Sequence, residues 1–173
     1  MENKNIIVTG GTDGIGLAIV KNLLNENNKI FIIGNNTQKG ERILKLLNNN
    51  KVEFLQCNLL EKNEINKLSK KLSKLKKIDR LINNAGALFL KREENSLGIE
   101  KTFALNHLSY LQLSLGLKDK LEESKISRIV NISSNAHKFY DIDIDDLQNK
   151  INYNGWKAYC RSKLLNIFTT YSF

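Results

Sequence analysis

The sequence predicts an α/β domain built on a parallel sheet with helices on both faces. Short apolar runs such as Ile6-Ile7-Val8 and Ile30 to Ile33 are typical of strands that are buried on both faces. Segments with apolar residues at helical spacing separate these runs. Because strands and helices alternate, we expect right-handed crossovers and a doubly wound sheet that binds its ligand beyond the carboxyl ends of the strands.

The composition is that of one globular domain, and we expect residues 1–173 to form it. The chain is 41% apolar, which is enough for a single hydrophobic core. Cys57 and Cys160 fit neither a metal-binding nor a disulfide pattern, which favours a reducing compartment. No apolar run has the length of a membrane span, and Met1 leads into the first strand without a signal sequence. We therefore expect a cytoplasmic protein without a transmembrane segment.

The net charge of +9 has two interpretations. A basic chain can bind nucleic acid, an anionic membrane or a phosphorylated ligand. Many of the lysines, however, lie on the polar face of one predicted helix, Lys62 to Lys77, whose apolar stripe consists of Ile65, Leu68, Leu72 and Leu75. The sequence has no nucleic-acid recognition motif and no platform of aromatic and basic residues. We interpret the charge as a solvated helix face and expect no nucleic-acid partner.

The first strand leads into a glycine-rich turn from Thr9 to Gly16. A helix follows, in which Ile15, Ile19 and Leu23 recur at helical spacing. In this order, glycines permit a tight turn and let backbone N–H groups approach a pyrophosphate at the helix N-terminus. Glycines also mark ordinary turns, so it is the strand-turn-helix context that favours a dinucleotide site.

The end of the second strand carries no charge that would identify the dinucleotide. Asn35 and Asn36 stand 19 and 20 residues after Gly16 (35 − 16 and 36 − 16), where such a site contacts the adenosine ribose. An acid there accepts from the 2′-hydroxyl of NAD, and an arginine there pairs with the 2′-phosphate of NADP. Lys39 and Arg42 follow on the next predicted helix, where they are surface charges or phosphate ligands.

Polar residues follow three further predicted strands. These strands are Val52 to Gln56, Arg80 to Ile82 and Arg128 to Ile132. Asn58 comes after the first, Asn83 to Gly86 after the second, and Ser133-Ser134 after the third. Because the carboxyl ends of parallel strands share one edge of the sheet, we expect these residues to lie at the ligand edge.

Neither the long helix nor the acidic segment predicts a metal site. The helix is predicted from about Leu97 and contains Asn106 and His107, but no second histidine stands at metal-ligand spacing. In the acidic segment, the sixth and twelfth positions counted from Asp141 hold Asp146 and Asn152, where a calcium loop needs Gly and Glu. We interpret it as a solvated loop that could flank a substrate pocket.

The last predicted helix begins at about Trp156 and carries Tyr159 and Lys163 four residues apart. Residues at this spacing share one face of a helix. A lysine beside a tyrosine favours the phenolate and draws a phenol pKa of about 10 toward the working pH. The tyrosine is then a useful proton donor or acceptor.

Taken together, these motifs resemble the short-chain dehydrogenase/reductase family, in the family's order and across the whole chain. The motifs are Thr9-Gly10-x-x-x-Gly14-Ile15-Gly16, Asn83-Asn84-Ala85-Gly86, Asn106, Ser134 and Tyr159-x-x-x-Lys163. Leu105 to Leu108, Val130 to Ser134 and Ala158 to Lys163 further resemble the retinol dehydrogenase and WW-domain oxidoreductase branch. The resemblance implies a Rossmann fold and an NAD(P)-dependent oxidoreductase. Its substrate would be a small alcohol, aldehyde or ketone, lipophilic ones included, and a homo-oligomer stays open.

The resemblance also implies roles for individual residues. Tyr159 would be the acid/base, Lys163 would hold the nicotinamide ribose, and Ser134 would hydrogen-bond the reacting oxygen beside a structural Ser133. Asn106 would bind a water that relays protons to Lys163. The implied cofactor contacts are Gly10, Thr12, Asp13, Gly14, Ile15, Gly16, Asn35, Asn58, Leu59, Asn83, Ala85 and Gly86, together with Tyr159 and Lys163.

Three departures from the family pattern matter. Asn35 stands where the branch commonly has arginine, so the cofactor is NADP or NAD. Asn58 stands where the family usually has aspartate. Relatives continue with two more strands and the substrate-covering loops, so we expect an incomplete sheet of about five strands. The alternative function is a truncated, non-catalytic protein that binds a dinucleotide or a partner.

Overall fold

The structure, a computed structural model, describes residues 3–24 and 28–173. Five parallel strands form one sheet in the order β3-β2-β1-β4-β5. The strands are β1 (Asn5–Thr9), β2 (Lys29–Gly34), β3 (Val52–Gln56), β4 (Arg80–Asn83) and β5 (Arg128–Asn131). Val8 on the central strand pairs with Ile32 on one side and Ile82 on the other. The predicted doubly wound α/β fold of five strands is therefore confirmed.

Helices cover both faces of this sheet. They are α1 (Gly14–Leu24), α2 (Thr37–Leu47), α3 (Lys62–Leu72), α4 (Lys101–Phe103), a π-helical segment (Ala104–Leu108), α5 (Ser109–Gly116), α6 (Lys118–Glu122), a 3-10 turn (Asn135–Lys138) and α7 (Gly155–Ser172). Because side chains alternate along a strand, Ile6 and Val8 pack with Val20 of α1, while Ile7 packs with Leu68 of α3. Two apolar layers result, one on each face of the sheet.

Two helix boundaries and one helix face differ from the sequence-based expectation. α3 ends at Leu72 rather than near Lys77, yet Leu75 still packs on the core from the turn that follows, which explains why the apolar stripe continues. The helix expected from about Leu97 begins only at Lys101. In α1 the buried residues are Gly16 and Val20, whereas Ile15 is exposed.

Strand β5 lies at the edge of the sheet. Its residues alternate between exposed and half-buried, and Val130 is 39% exposed. No strand pairs with its outer side within the described residues. This edge matches the expectation of a sheet that lacks further family strands.

A buried carboxylate fixes the start of the helix that follows β4. Glu100 is fully buried, and its two oxygens accept from the N–H groups of Thr102 and Phe103, each at 2.7 Å. The Tyr153 hydroxyl also donates to Glu100 at 3.1 Å, which links this helix to the segment before α7. Glu100 therefore ends the preceding loop and explains why the helix starts at Lys101.

We expect Glu100→Gln to lower the free energy of unfolding by about 1 to 3 kcal/mol, because the amide leaves buried donors without a full set of acceptors. Urea unfolding of the purified chain measures this change. Glu122→Gln is the control, since Glu122 is exposed on α6 and its ion pair with Lys118 contributes little. Equal stability of the two variants would contradict the assigned role of Glu100.

Candidate active site

One cavity of about 1010 Å³ lies at the carboxyl edge of the sheet. The glycine-rich turn, the ends of four strands and one face of α7 line it. Most of the predicted site residues meet there. They are Gly10, Thr12, Asp13, Gly14, Ile15, Gly16, Asn35, Asn58, Leu59, Ala85, Gly86, Ser134, Tyr159 and Lys163.

The glycine-rich turn has a shape that only glycines permit. Gly10 and Gly14 have φ angles of +65° and +49°, which other residues rarely adopt. A Cβ at Gly16 would overlap the Gly10 carbonyl oxygen, whereas a Cβ at Gly14 would meet nothing within 4 Å. The turn is therefore closely packed on its inner side and open toward the cavity. This open side, at the N-terminus of α1, fits the pyrophosphate of a dinucleotide.

Hydrogen bonds tie this turn to the end of β4. The Thr9 hydroxyl accepts from the backbone N–H groups of Asn84 and Ala85, at 2.8 and 3.0 Å. The Asn84 amide donates back to the Thr9 carbonyl at 2.9 Å. These bonds fix the distance between the two strand ends that form the floor of the cavity.

Asn83 does not line the cavity, contrary to its predicted cofactor contact. Strand β4 extends through Asn83, so the side chain is fully buried in the interior. Its amide donates to the Ser114 hydroxyl at 3.2 Å and to the Asn131 side-chain oxygen at 2.9 Å. Asn83 thus joins α5 to β5 beneath the site.

An ion pair stands at the adenosine end of the cavity. The Lys39 Nζ lies 3.4 Å from one oxygen of Asp13, while the other oxygen accepts from the Gly14 N–H at 2.8 Å. The Gly14 hydrogen bond and the Lys39 charge hold the pKa of Asp13 below its usual value. Asn35 lines the cavity beside this pair, but Asn36 caps α2 by accepting from the Lys39 N–H at 2.9 Å. Asp13 and Lys39 therefore place a negative and a positive charge side by side at this end of the cavity.

Helix α7 places Tyr159 and Lys163 together on the cavity wall. The Lys163 Nζ lies 5.5 Å from the centroid of the Tyr159 ring and donates to the Ile132 carbonyl at 3.1 Å. Lys163 is only 3% exposed, and burial lowers its pKa to about 8. Burial therefore brings the pKa of Lys163 much closer to neutral pH than that of an exposed lysine.

The two serines after β5 occupy different environments. The Ser133 hydroxyl donates to the Lys163 carbonyl at 2.8 Å, which attaches α7 to the sheet. The Ser134 hydroxyl accepts from the Ala136 N–H at 3.2 Å and lines the cavity, so its own proton stays available for a ligand. This placement agrees with the structural role expected of Ser133.

Asn106 lies beneath the cavity, in the π-helical segment. Its side chain exchanges hydrogen bonds with the backbone of Ala87, both at 2.9 Å, and donates to the Ser162 hydroxyl at 3.1 Å. Its carbonyl accepts from the Asn166 amide at 2.9 Å. A π-helical turn displaces carbonyls from their α-helical partners, so Asn166 provides the donor that Asn106 needs. Asn106 thus holds α7 against the loop that follows β4.

Sequence reasoning missed the aromatic wall of the cavity. The Trp156 ring stacks on Tyr159 with centroids 5.8 Å apart, and Phe139 packs on Trp156 at 6.1 Å. Trp156 is 44% exposed and lines the cavity together with Leu88 and Phe89. The sequence analysis overlooked these residues because they have no reactive groups. The spacing of Trp156 and Tyr159, three residues apart on the same helix, could have indicated that their rings meet.

The acidic segment runs beside this wall and is held by Arg161. The guanidinium donates to the Asp141 carbonyl and to the Asn149 side chain, both at 2.9 Å.

In the described part of the chain, no group of three or more His, Cys, Asp or Glu side chains is placed to hold a metal ion. Among the same residues, no helix combines the length and apolar character of a membrane span.

We expect Lys163→Met to be more stable than the wild type at pH 7, by up to about 3 kcal/mol, because a buried ammonium is costly. Between pH 8 and 10.5 the unfolded lysine still binds its proton while the folded one has lost it, so wild-type stability rises with pH. The advantage of the variant should therefore shrink over this range. Urea unfolding at several pH values measures this advantage, and Lys67→Met, at an exposed position of α3, is the control. A gap that does not depend on pH would contradict a lowered Lys163 pKa.

The sequence of this chain is similar to those of known proteins. A family model described as short chain dehydrogenase matches residues 4–144. Human polyprenol dehydrogenase is 38% identical over 175 residues, which cover 95% of this chain and 53% of the relative. Human retinol dehydrogenase 11 is 34% identical over 175 residues, which cover 98% of this chain and 55% of the relative. The chain therefore spans about half the length of these curated relatives.

A solved structure agrees with the fold. The short-chain dehydrogenase from Sphingobium yanoikuyae in complex with NADPH has a TM-score of 0.78 and 20% identity, over 98% of this chain and 63% of that chain. The predicted resemblance to the retinol dehydrogenase branch is confirmed by the curated relatives. The chain belongs to the short-chain dehydrogenase/reductase family.

Proposed function

We propose that this protein is an NAD(P)-dependent oxidoreductase that transfers a hydride between a nicotinamide cofactor and an alcohol or carbonyl substrate. The observation that carries the proposal is the placement of Tyr159 and Lys163 on the wall of the cavity that the glycine-rich turn opens into. A proton-transfer pair and a pyrophosphate cradle in one cavity are what such a reaction needs. We propose one NAD(P)-binding domain, in the cytoplasm.

The residues of the cavity fit a dinucleotide. The turn from Gly10 to Gly16 would hold the pyrophosphate, Asp13 and Asn35 would contact the adenosine ribose, and Asn58 would lie near the adenine. Lys163 would hold the nicotinamide ribose. When bound, the nicotinamide ring supplies the hydride in reduction and accepts it in oxidation.

The side chains of the cavity wall would manage the proton. In reduction, Tyr159 gives its hydroxyl proton to the carbonyl oxygen, which becomes the hydroxyl of the product and leaves a phenolate on the protein. In oxidation, the phenolate takes the proton of the substrate alcohol. Ser134 orients the reacting oxygen by a hydrogen bond, and Lys163 holds its positive charge beside the Tyr159 ring.

The aromatic wall indicates which substrates enter. Trp156, Leu88 and Phe89 give the cavity an apolar side next to Tyr159. Apolar walls gain free energy by removing apolar ligand surface from water. The names of the polyprenol and retinol relatives agree with such substrates. We therefore propose lipophilic alcohols, aldehydes or ketones.

Tyr159→Phe should abolish hydride transfer while it leaves dinucleotide binding within about threefold, because the hydroxyl moves the proton and the ring fills the same space. Oxidation of NADH and NADPH with a panel of aldehydes and ketones measures transfer, and titration of intrinsic fluorescence measures binding. If wild type and variant bind the dinucleotide but are equally inert, the non-catalytic alternative holds. If neither binds it, hydride transfer and dinucleotide binding are both excluded, and the partner-binding form of the alternative is left.

Asp13→Asn should raise the affinity for NADP⁺ relative to NAD⁺ by about fivefold or more, because Asp13 repels a 2′-phosphate and occupies Lys39. Lys39→Gln should shift the ratio in the opposite direction. Both side chains are largely exposed, so neither change should disturb the fold. The measurement is the pair of dissociation constants for each variant, with Lys67→Gln as the control. An unchanged ratio in both variants would show that the pair does not contact the ribose.

A further inference from the structure

Few groups stabilise the charge of Lys163. The ammonium has one hydrogen bond, to the Ile132 carbonyl, and a Cβ at Gly86 would lie 3.4 Å from it. No carboxylate forms an ion pair with it within the described residues. The titratable groups that face it are the phenols of Tyr159 on α7 and Tyr110 on α5. Because the Ile132 carbonyl accepts from only one of the three ammonium N–H groups, weaker contacts decide how well the cation is held.

Two phenol rings flank the ammonium. The Lys163 Nζ lies over the Tyr159 ring at 5.5 Å from its centroid, and over the Tyr110 ring at 5.8 Å. The face of an aromatic ring is electron-rich and attracts a cation, and the attraction is stronger where water is excluded. Tyr110 is 1% exposed and Lys163, although it lines the cavity, is 3% exposed, so little of this contact meets water.

The Tyr110 hydroxyl takes no part in this contact. It is buried and has no hydrogen-bond partner among the described residues, and burial raises its pKa, so the phenol stays neutral. Tyr110 therefore acts on Lys163 through its ring rather than through a charge or a hydrogen bond. Removal of the hydroxyl also removes a buried polar group that lacks a partner, which costs no stability.

We propose that Tyr110 is a positioning residue whose ring face keeps the buried Lys163 ammonium protonated beside Tyr159. The proposal rests on the proposed function only in the use of the pair for proton transfer. Burial already lowers the pKa of Lys163, so a weak contact with the ammonium changes the fraction of lysine that is protonated. A contact that changes the protonation equilibrium tenfold shifts this pKa by one unit. Tyr110 stands one turn after Asn106, so the helix that clamps α7 also supplies this ring.

The test is the titration of Lys163 by NMR in lysine labelled with ¹³C at the ε carbon, in the complete chain. Lys163→Met identifies the resonance by its loss. Phenylalanine with increasing numbers of ring fluorines is incorporated at position 110, because fluorine weakens the negative ring face while it nearly keeps the shape. The Lys163 pKa should fall with each step, by about half a unit to one and a half units over the series.

Tyr110→Phe and Tyr110→Leu separate the ring from the hydroxyl. Tyr110→Phe should leave the Lys163 pKa within about 0.2 units of the wild type and leave thermal stability equal or higher. Tyr110→Leu should lower the pKa as the most fluorinated ring does. If fluorination has no effect, or if Tyr110→Phe shifts the pKa as much as Tyr110→Leu, the proposal is wrong. The titration needs no turnover, so an inactive chain would overturn the proposed function and still decide this inference.

Discussion

The hydrogen bonds of Asn106 hold helix α7 against the carboxyl edge of the sheet, and the rest of the site depends on them. One side chain joins the loop after β4, through Ala87, to α7, through Ser162. The π-helical turn that carries Asn106 is completed from α7 by Asn166. Lys163 follows Ser162 directly, so the hydrogen bond from Asn106 to Ser162 also fixes the position of Lys163 relative to the sheet. A mid-helix asparagine is therefore buried because three segments of the chain meet on it.

Lys163 carries its charge in a buried position, where desolvation makes the charge unfavourable. Lys163 is buried between two phenol rings, and within the described residues its ammonium has one hydrogen-bond acceptor, the Ile132 carbonyl. Burial makes the ammonium costly, but it also strengthens every electrostatic interaction that the ammonium makes. Stability is lost at this position, where the Lys163 charge lies 5.5 Å from the centroid of the Tyr159 ring. Its neighbours, Ser133 and Tyr110, hold the lysine without neutralising it.

Sequence reasoning predicted the central strands well because strands buried on both faces carry continuous apolar runs, as in β1 and β2. The run Val52–Gln56 is a strand with the predicted bounds, and the order of motifs placed the polar strand ends at one edge. Helix ends were less accurate, since apolar residues such as Leu75 pack on the core from a turn as well as from a helix. Asn83 was expected at the ligand edge, but strand β4 continues through Asn83 and its side chain is buried in the interior.

Contacts that join distant residues were beyond the reach of the sequence. Asp13 and Lys39 are 26 residues apart, and a pattern of residues does not show that their side chains meet. Trp156 has no reactive group, so nothing in its type marks it as the partner of Tyr159. The centroid of the Tyr110 ring lies 5.8 Å from the ammonium of Lys163, a residue 53 positions later (163 − 110), and the sequence does not show that contact.

Trp156 offers the most direct test of the central claim, that the cavity binds a nicotinamide beside Tyr159. It is the only tryptophan of the chain, and it lines the cavity. The account predicts saturable energy transfer from Trp156 to NADH or NADPH, with sensitised nicotinamide emission that disappears in Gly16→Val. Dinucleotide titrations without saturable transfer, or transfer that persists in Gly16→Val, would contradict the account.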